Sequence, residues 1–258
     1  MSDCILEIKG LTKIFGGLTA INNIDLNVTR GSITAVIGPN GAGKTTLFNI
    51  IAGVIPPDKG EIIFNGKRLN GTSPPERVKL GIARTFQHVL LFKDMTVLEN
   101  IMAGRHSRTG SGFLSSGLRL PAMRREEDEI ALDAAHYLNL VGQGRYGSQM
   151  ASEIPLGQQK LAAIGRALAS EPKLLLLDES GAGLNALEKR GLSDLIKRIR
   201  DMGITIILVE HDMELVMGTS DRVIVLDYGE KIAEGTPSEI QKNRRVISAY
   251  LGEDGEPA

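Results

Sequence analysis

Apolar and polar positions follow two different rhythms along this chain. Residues 33 to 37, ITAVI, are almost uniformly apolar, the pattern of a strand covered on both faces in the parallel sheet of an α/β domain. Two similar runs return late, KLLLLD ending at Asp178 and ITIILVE ending at Glu210, and each adjoins a helix-like segment. Two β-rich runs flank the start, ILEI at 5 to 8 and IDLNV at 24 to 28. Strand and helix in alternation predict α/β layers. Towards the end, VIVLDYGEKIAEG predicts a hairpin with Tyr228 and Gly229 near its turn.

The middle reads differently. RHSRTGSGFLSSGLRLP, residues 105 to 121, is rich in Gly and Ser and predicts an exposed loop. After it, AMRREEDEIALDAAHYLNLVG carries Ile130, Ala134, Tyr137 and Leu138 near one helical face. The mixed signs of RREEDE predict a solvated helix start. A helical insertion of about 70 residues, from about 88 to about 160, is therefore expected to interrupt the sheet. Within 153 to 168, EIPLGQQKLAAIGRAL opens on a proline and a glycine and runs into alanines and leucines at helical spacing. The free N–H groups and dipole of such a helix start suit an anion.

Composition narrows the classes. The 258 residues are 42% apolar and 24% charged, a soluble globular balance with enough chain for a large core. A net charge of −1 supplies no global basic field, so nucleic acid is not expected as a partner and anionic lipid is not attracted in bulk. The single Cys4 excludes an internal disulfide framework and a cysteine-built zinc site, and fits a reducing compartment. MSDCILEIKGLTK has no secretory pattern, and apolar runs such as LLLL at 174 to 177 are too short to span a bilayer. Work at a membrane would need a partner.

The strongest chemical signal is GPNGAGKT, Gly38 to Thr45, which satisfies G-x-x-x-x-G-K-[ST] and lies between the apolar strand and the helical TTLFNIIAG. The glycines let successive N–H groups face phosphate oxygens, Lys44 places a charge on the β and γ phosphates, and Thr45 offers an oxygen to Mg²⁺. Asp178 and Glu179 end the four-leucine strand, at the carboxyl edge where open α/β sheets bind ligands. Adjacent carboxylates on a strand point to opposite sides, so one suits a metal and the other an attacking water. His211, after another apolar strand, reaches for the same edge.

These residues together resemble the nucleotide-binding subunit of an ABC transporter over almost the whole length. Phe15 matches the aromatic that stacks on adenine. Gly38, Pro39, Asn40, Gly41, Ala42, Gly43, Lys44, Thr45 and Thr46 match the Walker A motif, and Gln87 in RTFQHVLLF matches the Q-loop. LLLLDE matches Walker B, AGLN with Asn185 the D-loop, and VEHD around His211 the switch histidine. IPLGQQK sits where the family signature belongs, with Gly157 and Gln158 retained while Ile154, Pro155 and Leu156 depart from Leu-Ser-Gly. Pro155 has neither a hydroxyl nor an N–H for a phosphate. Ser180 and Asn185 depart from the usual Pro and Asp.

The resemblance implies a P-loop NTPase of the ABC ATPase fold: a RecA-like mixed-sheet core, an N-terminal antiparallel β subdomain and a helical signature subdomain. It implies one ABC ATPase domain, with a core in 1–87 and 161–235, the Q-loop and signature subdomain in 88–160 and a helical tail in 236–258. ATP and Mg²⁺ are the implied ligands: Thr45, Gln87 and Asp178 at the metal, Glu179 polarising water, His211 fixing it, Lys44 and Gln87 assisting, and Gly157 and Gln158 acting on the partner's nucleotide. FGGLTAINNIDL, AGLN and the stretch from LVEHDMELV to ISAYLGE resemble the larger ATPase of the high-affinity branched-chain amino-acid uptake family. That implies a peripheral subunit on the cytoplasmic face of a bacterial inner membrane, soluble when isolated. Its implied partners are two permeases, contacted through HVLLFKDMTVLENI, a second ATPase subunit and, indirectly, a periplasmic binding protein. The second ATPase makes a heterodimer, or a homodimer when the chain is alone. A soluble ABC-type interaction protein without a permease and a P-loop kinase are the rival readings. The first usually carries two cassettes or a coiled-coil insertion, and the second lacks a signature helix.

Overall fold

The computed structural model describes residues 3–87, 90–105 and 121–251. The expected loop at 105 to 121 lies outside the described residues from 106 to 120, as do His88 and Val89 of the expected permease-contacting stretch and the last part of the tail. The chain divides into two compact units, residues 1–77 with 176–258, and residues 78–175.

The first unit opens on an antiparallel sheet. β1 (Cys4–Phe15) pairs with β2 (Leu18–Thr29) and with β4 (Lys59–Phe64), and β5 (Lys67–Arg68) completes the order β2-β1-β4-β5. Ile8 stands opposite Leu26 on one side and Ile62 on the other. In the register of β2, Ile24, Leu26 and Val28 are buried while the residues between them are exposed, so one face of this sheet meets the core and the other water.

The second sheet of this unit has the order β10-β9-β3-β8-β7, from β3 (Ile33–Ile37), β7 (Leu174–Asp178), β8 (Thr205–Val209), β9 (Arg222–Asp227) and β10 (Glu230–Gly235). β3 runs parallel to both β8 and β9, and β9 and β10 form the expected antiparallel hairpin. Every residue of β3, β7 and β8 is buried, which is why these strands show no alternation. Parallel neighbours bring their carboxyl ends to one edge, and the site is built there.

The helices of this unit are α1 (Lys44–Ile51), α6 (Ala186–Asp201), α7 (Met213–Thr219), α8 (Pro237–Gln241) and α9 (Arg244–Leu251). α6 and α8 begin in reciprocal caps, Asn185 with Glu188 and Thr236 with Glu239, and the Asp212 carboxylate accepts the Leu215 N–H at the start of α7. The far end of α1 is held by Arg77, which lies on α2 (Pro74–Leu80) and is only 2% exposed. Its guanidinium donates to the carbonyls of Ile50, Ile51 (2.7 Å) and Leu69 (3.0 Å) and to the Thr72 hydroxyl (2.9 Å). A planar fork of five donors satisfies carbonyls that the last turn of a helix leaves open.

The second unit holds β6 (Ile82–Arg84), α3 (Val97–Arg105), α4 (Pro121–Leu140) and α5 (Leu156–Ala169). The Gly81 carbonyl accepts from the N–H groups of Lys173 and Leu174 at 2.7 and 3.0 Å, aligning β6 with the first residues of β7. The helices close on Val97, Ile101, Ala134, Leu138, Ile154 and Ala162. The face anticipated on α4 is the buried one: Ile130, Ala134 and Leu138 are inside and Tyr137 is half-buried. α3 and α5 touch backbone to backbone, since a Cβ on Gly104 would stand 2.0 Å from the Arg166 carbonyl oxygen. Among the described residues, no helix is long and apolar enough to cross a membrane.

Candidate functional site

β3 ends at Ile37 and the chain turns at once into the glycine-rich loop. Gly38 has φ 152°, and a Cβ there would lie 2.0 Å from the Leu226 carbonyl oxygen, so only glycine lets the loop leave the sheet at this point. Lys44 opens α1 and is buried. Its ammonium donates to the Gly38 and Pro39 carbonyls at 2.6 and 2.8 Å, which holds the charge inside the curve of the loop. Burial pushes the Lys44 pKa below its ordinary value, and the nearby Glu179 carboxylate pulls it partly back.

Asp178 closes β7 and is buried. The next residue, Glu179, has φ 48°, a left-handed conformation that costs a non-glycine residue about 1–3 kcal/mol and tends to occur at functional sites. Its N–H donates to the Val209 carbonyl at 2.9 Å, tying the ends of β7 and β8 together. Its carboxylate meets the ring Nε2 of His211 at 2.8 Å. The turn that follows is fastened by Glu210, whose buried carboxylate accepts the Gly181 N–H at 2.7 Å. Phe15, Lys44, Thr45, Glu179 and His211 line one cavity of 420 Å³.

Among the described residues, no three His, Cys, Asp or Glu side chains gather into a metal cage. The Thr45 hydroxyl and the Glu179 carboxylate are oxygen donors lining this cavity, and the buried Asp178 carboxylate stands one residue before Glu179 at the end of β7. A sparse, hard oxygen set fits Mg²⁺, which is bound by one or two protein oxygens with phosphates and water rather than by an all-protein cage. Asn185 spends its side chain on the Glu188 N–H as the cap of α6.

In the second unit, Gln87 is exposed just beyond β6. α5 starts at Leu156 with Pro155 as its N-cap, and no side chain caps it. The first-turn amides of Leu156 and Gly157 have no carbonyl one turn earlier to bond within the helix. Gln158 is oriented from behind: the side-chain NH₂ of buried Gln143 donates to the Gln158 side-chain oxygen at 2.7 Å. Ile154, the first departure from the family signature, is an apolar anchor in the helical core.

Gln143, Glu210 and Tyr250 were not singled out in the sequence. Burial pushes the Tyr250 hydroxyl pKa up, and a hydrogen bond from the Gly38 backbone partly offsets this, so α9 reaches the first glycine of the loop. None of these contacts is visible in a local motif, although Glu210 lies within VEHD. Each residue acts through a partner distant in sequence.

The family described as ABC transporter matches residues 21–182, and a second, described as branched-chain amino acid ATP-binding cassette transporter, matches 230–256. The high-affinity branched-chain amino acid transport ATP-binding protein LivG of Salmonella typhimurium is 43% identical, over 98% of this chain and 100% of its own. BraF of Pseudomonas aeruginosa, with the same description, is 42% identical over the same shares. In three dimensions the chain resembles the ADP conformation of an ATP-binding cassette of an ABC transporter, with a TM-score of 0.85, 32% identity and coverage of 97% of this chain and 99% of that one. A dimeric ATP-binding cassette in a post-hydrolysis state with ADP and Pi aligns with a TM-score of 0.77 and 25% identity, covering 90% of this chain and 99% of that one. The curled loop, the carboxyl edge and the capless helix start thus occur in a chain whose full length follows one lineage: the protein belongs to the ATP-hydrolysing, ATP-binding subunits of the ABC transporters.

Proposed function

We propose that this protein drives an importer of branched-chain or similar amino acids, docked on the cytoplasmic face of the inner membrane through permease subunits. The observation that carries this reading is the likeness to LivG and BraF over 98% of the chain, and the match at 230–256 supports it at the C-terminal end. Copurification with the membrane proteins encoded beside it, and ATP-dependent uptake of labelled leucine by vesicles carrying the complex, test it. An assembly with soluble partners alone would favour the nucleotide-gated interaction protein instead.

In this reading Phe15 holds adenine while the loop amides and Lys44 hold the β and γ phosphates. Thr45 and Asp178 hold Mg²⁺, which supplies charge neutralisation when bound. Glu179 takes the proton of the attacking water, and His211 keeps the Glu179 carboxylate aimed through their 2.8 Å contact. Phosphoryl transfer asks chiefly for positioning and charge stabilisation, and these groups supply both. Lys44→Ala lowers nucleotide affinity by about 1.5–3 kcal/mol, the worth of a charge-assisted hydrogen bond. Isothermal titration with a slowly hydrolysed ATP analogue measures this, and an unchanged affinity would mean that the loop binds by its backbone alone.

Residues 88–160 carry the permease contact and the signature. The exposed Leu90, Phe92 and Met95 form the docking surface. Behind it, buried Asn100 accepts the Phe92 N–H at 2.8 Å and donates to the Phe92 and Thr96 carbonyls at 3.0 Å. The start of α5 grips the ATP of a second, head-to-tail subunit through main-chain amides, so no serine hydroxyl is required at Pro155. Pro155→Ser is therefore tolerated. Gly157→Asp sets a carboxylate against the incoming γ phosphate and blocks dimer closure at a cost of about several kcal/mol, while the altered chain still binds ATP in its own loop. If Gly157→Asp dimerises and hydrolyses ATP normally, α5 is not the second phosphate site.

A further inference from the structure

We propose that Tyr228 contacts the nucleotide, its ring forming with Leu18 an apolar wall for the purine base beside Phe15. The proposal rests on the reading of the 420 Å³ cavity as the ATP site and adds to it two residues to which the sequence reading gave no ligand role.

Tyr228 sits at the tip of the β9–β10 hairpin. The residue is 88% exposed, and its φ of 44° is left-handed, a conformation that hairpin turns ordinarily give to Asn, Asp or Gly. The chain therefore accepts backbone strain and leaves a large ring in water at the same position. The tip is not loose. The Gly229 N–H donates to the Ala42 carbonyl at 3.1 Å, and the Gly229 carbonyl accepts the Asn22 N–H at 2.8 Å. The Asn22 side chain donates to Glu230 at 2.8 Å. The hairpin is thus stapled to the glycine-rich loop on one side and to β2 on the other, which presents Tyr228 from a fixed base.

Three of the exposed apolar side chains line this one cavity: Phe15 (45%), Leu18 (71%) and Tyr228 (88%). Lys44 and Thr45 line it as well. A ligand with phosphates at one end and a flat heterocycle at the other matches that division, with phosphates against the loop and the base against the apolar side chains. Stacking on an aromatic face is shape-directed and tolerant of base identity, so the residue contributes affinity more than discrimination among purines.

The test is isothermal titration of the full chain with a slowly hydrolysed ATP analogue and, separately, with inorganic tripolyphosphate. Tyr228→Ala should weaken the ATP analogue by about five-fold, the scale of one aromatic contact, and leave tripolyphosphate unchanged. Tyr228→Phe should bind as the unaltered protein does. Tyr228→Gly, which relieves the left-handed φ, should be as weak as the alanine variant. Two results would overturn the proposal: unchanged ATP-analogue affinity in Tyr228→Ala beside a weakened Phe15→Ala control, or equal weakening of both ligands, which would make Tyr228 a support for the loop. Failure of the unaltered protein to bind the analogue would instead overturn the nucleotide reading of the cavity, and this inference with it.

Discussion

Glu179→Gln leaves nucleotide binding intact and lowers ATP turnover by about 10²-fold or more, the scale of a lost general base. The amide keeps the shape of the side chain and can still accept from a His211 ring N–H at the position now 2.8 Å away, so the turn between β7 and α6 has no reason to move. The carboxylate charge disappears beside Lys44, where it now acts on the ammonium, and it disappears also from beside the phosphates. Binding is therefore preserved or tightened while the proton acceptor is gone. With hydrolysis blocked, bound ATP holds two chains together, and light scattering in the presence of ATP reports a dimer. Near-normal turnover in this variant would remove Glu179 from the role of base.

Arg77→Ala destabilises the fold by about 1–3 kcal/mol, the cost of a buried acceptor left unpaired, since the Ile51 carbonyl loses its guanidinium donor while the Ile50 and Leu69 carbonyls keep the N–H groups of Gly53 and Thr72. The lost positive charge also stood at the negative end of the α1 dipole. Burial already pushes the Arg77 pKa down, but a guanidinium starts so high that it stays charged. For a chain of this length, such a loss lowers the melting midpoint by about 2–12 °C. Arg77→Met, which keeps most of the volume, should recover only the packing part. Because α1 begins at Lys44, loosening its far end also weakens nucleotide binding. A melting curve superimposable on that of the unaltered protein would show that water replaces the guanidinium without cost.

The strands that build the site were legible because their environment is uniform: ITAVI, LLLLD and TIILV are buried at every position. The phosphate loop and the α4 face were legible for the related reason that each is written in one short window. β4, β5 and β6 went unread. Their patterns of partial exposure follow from neighbours supplied by other segments, β1 for β4 and the stretch around Lys173 and Leu174 for β6. Asn185 illustrates a limit of another kind: the D-loop resemblance marks it as a site residue, whereas its side chain is occupied in capping α6.

By itself the sequence determined the uniformly buried strands, the glycine-rich loop in its strand-to-helix setting, the adjacent Asp178 and Glu179, and the proline in place of serine at the second anion site. All of these are properties of contiguous residues, whose backbone freedom and periodicity are local. Only the tertiary structure decided that Glu179 meets His211, that Gln143 orients Gln158, that Arg77 closes α1, and that Tyr228 stands over the cavity of Phe15 and Lys44. Those pairings join residues far apart along the chain, and their geometry depends on how parallel strands bring separate carboxyl ends to one edge and on which buried polar groups must find partners there.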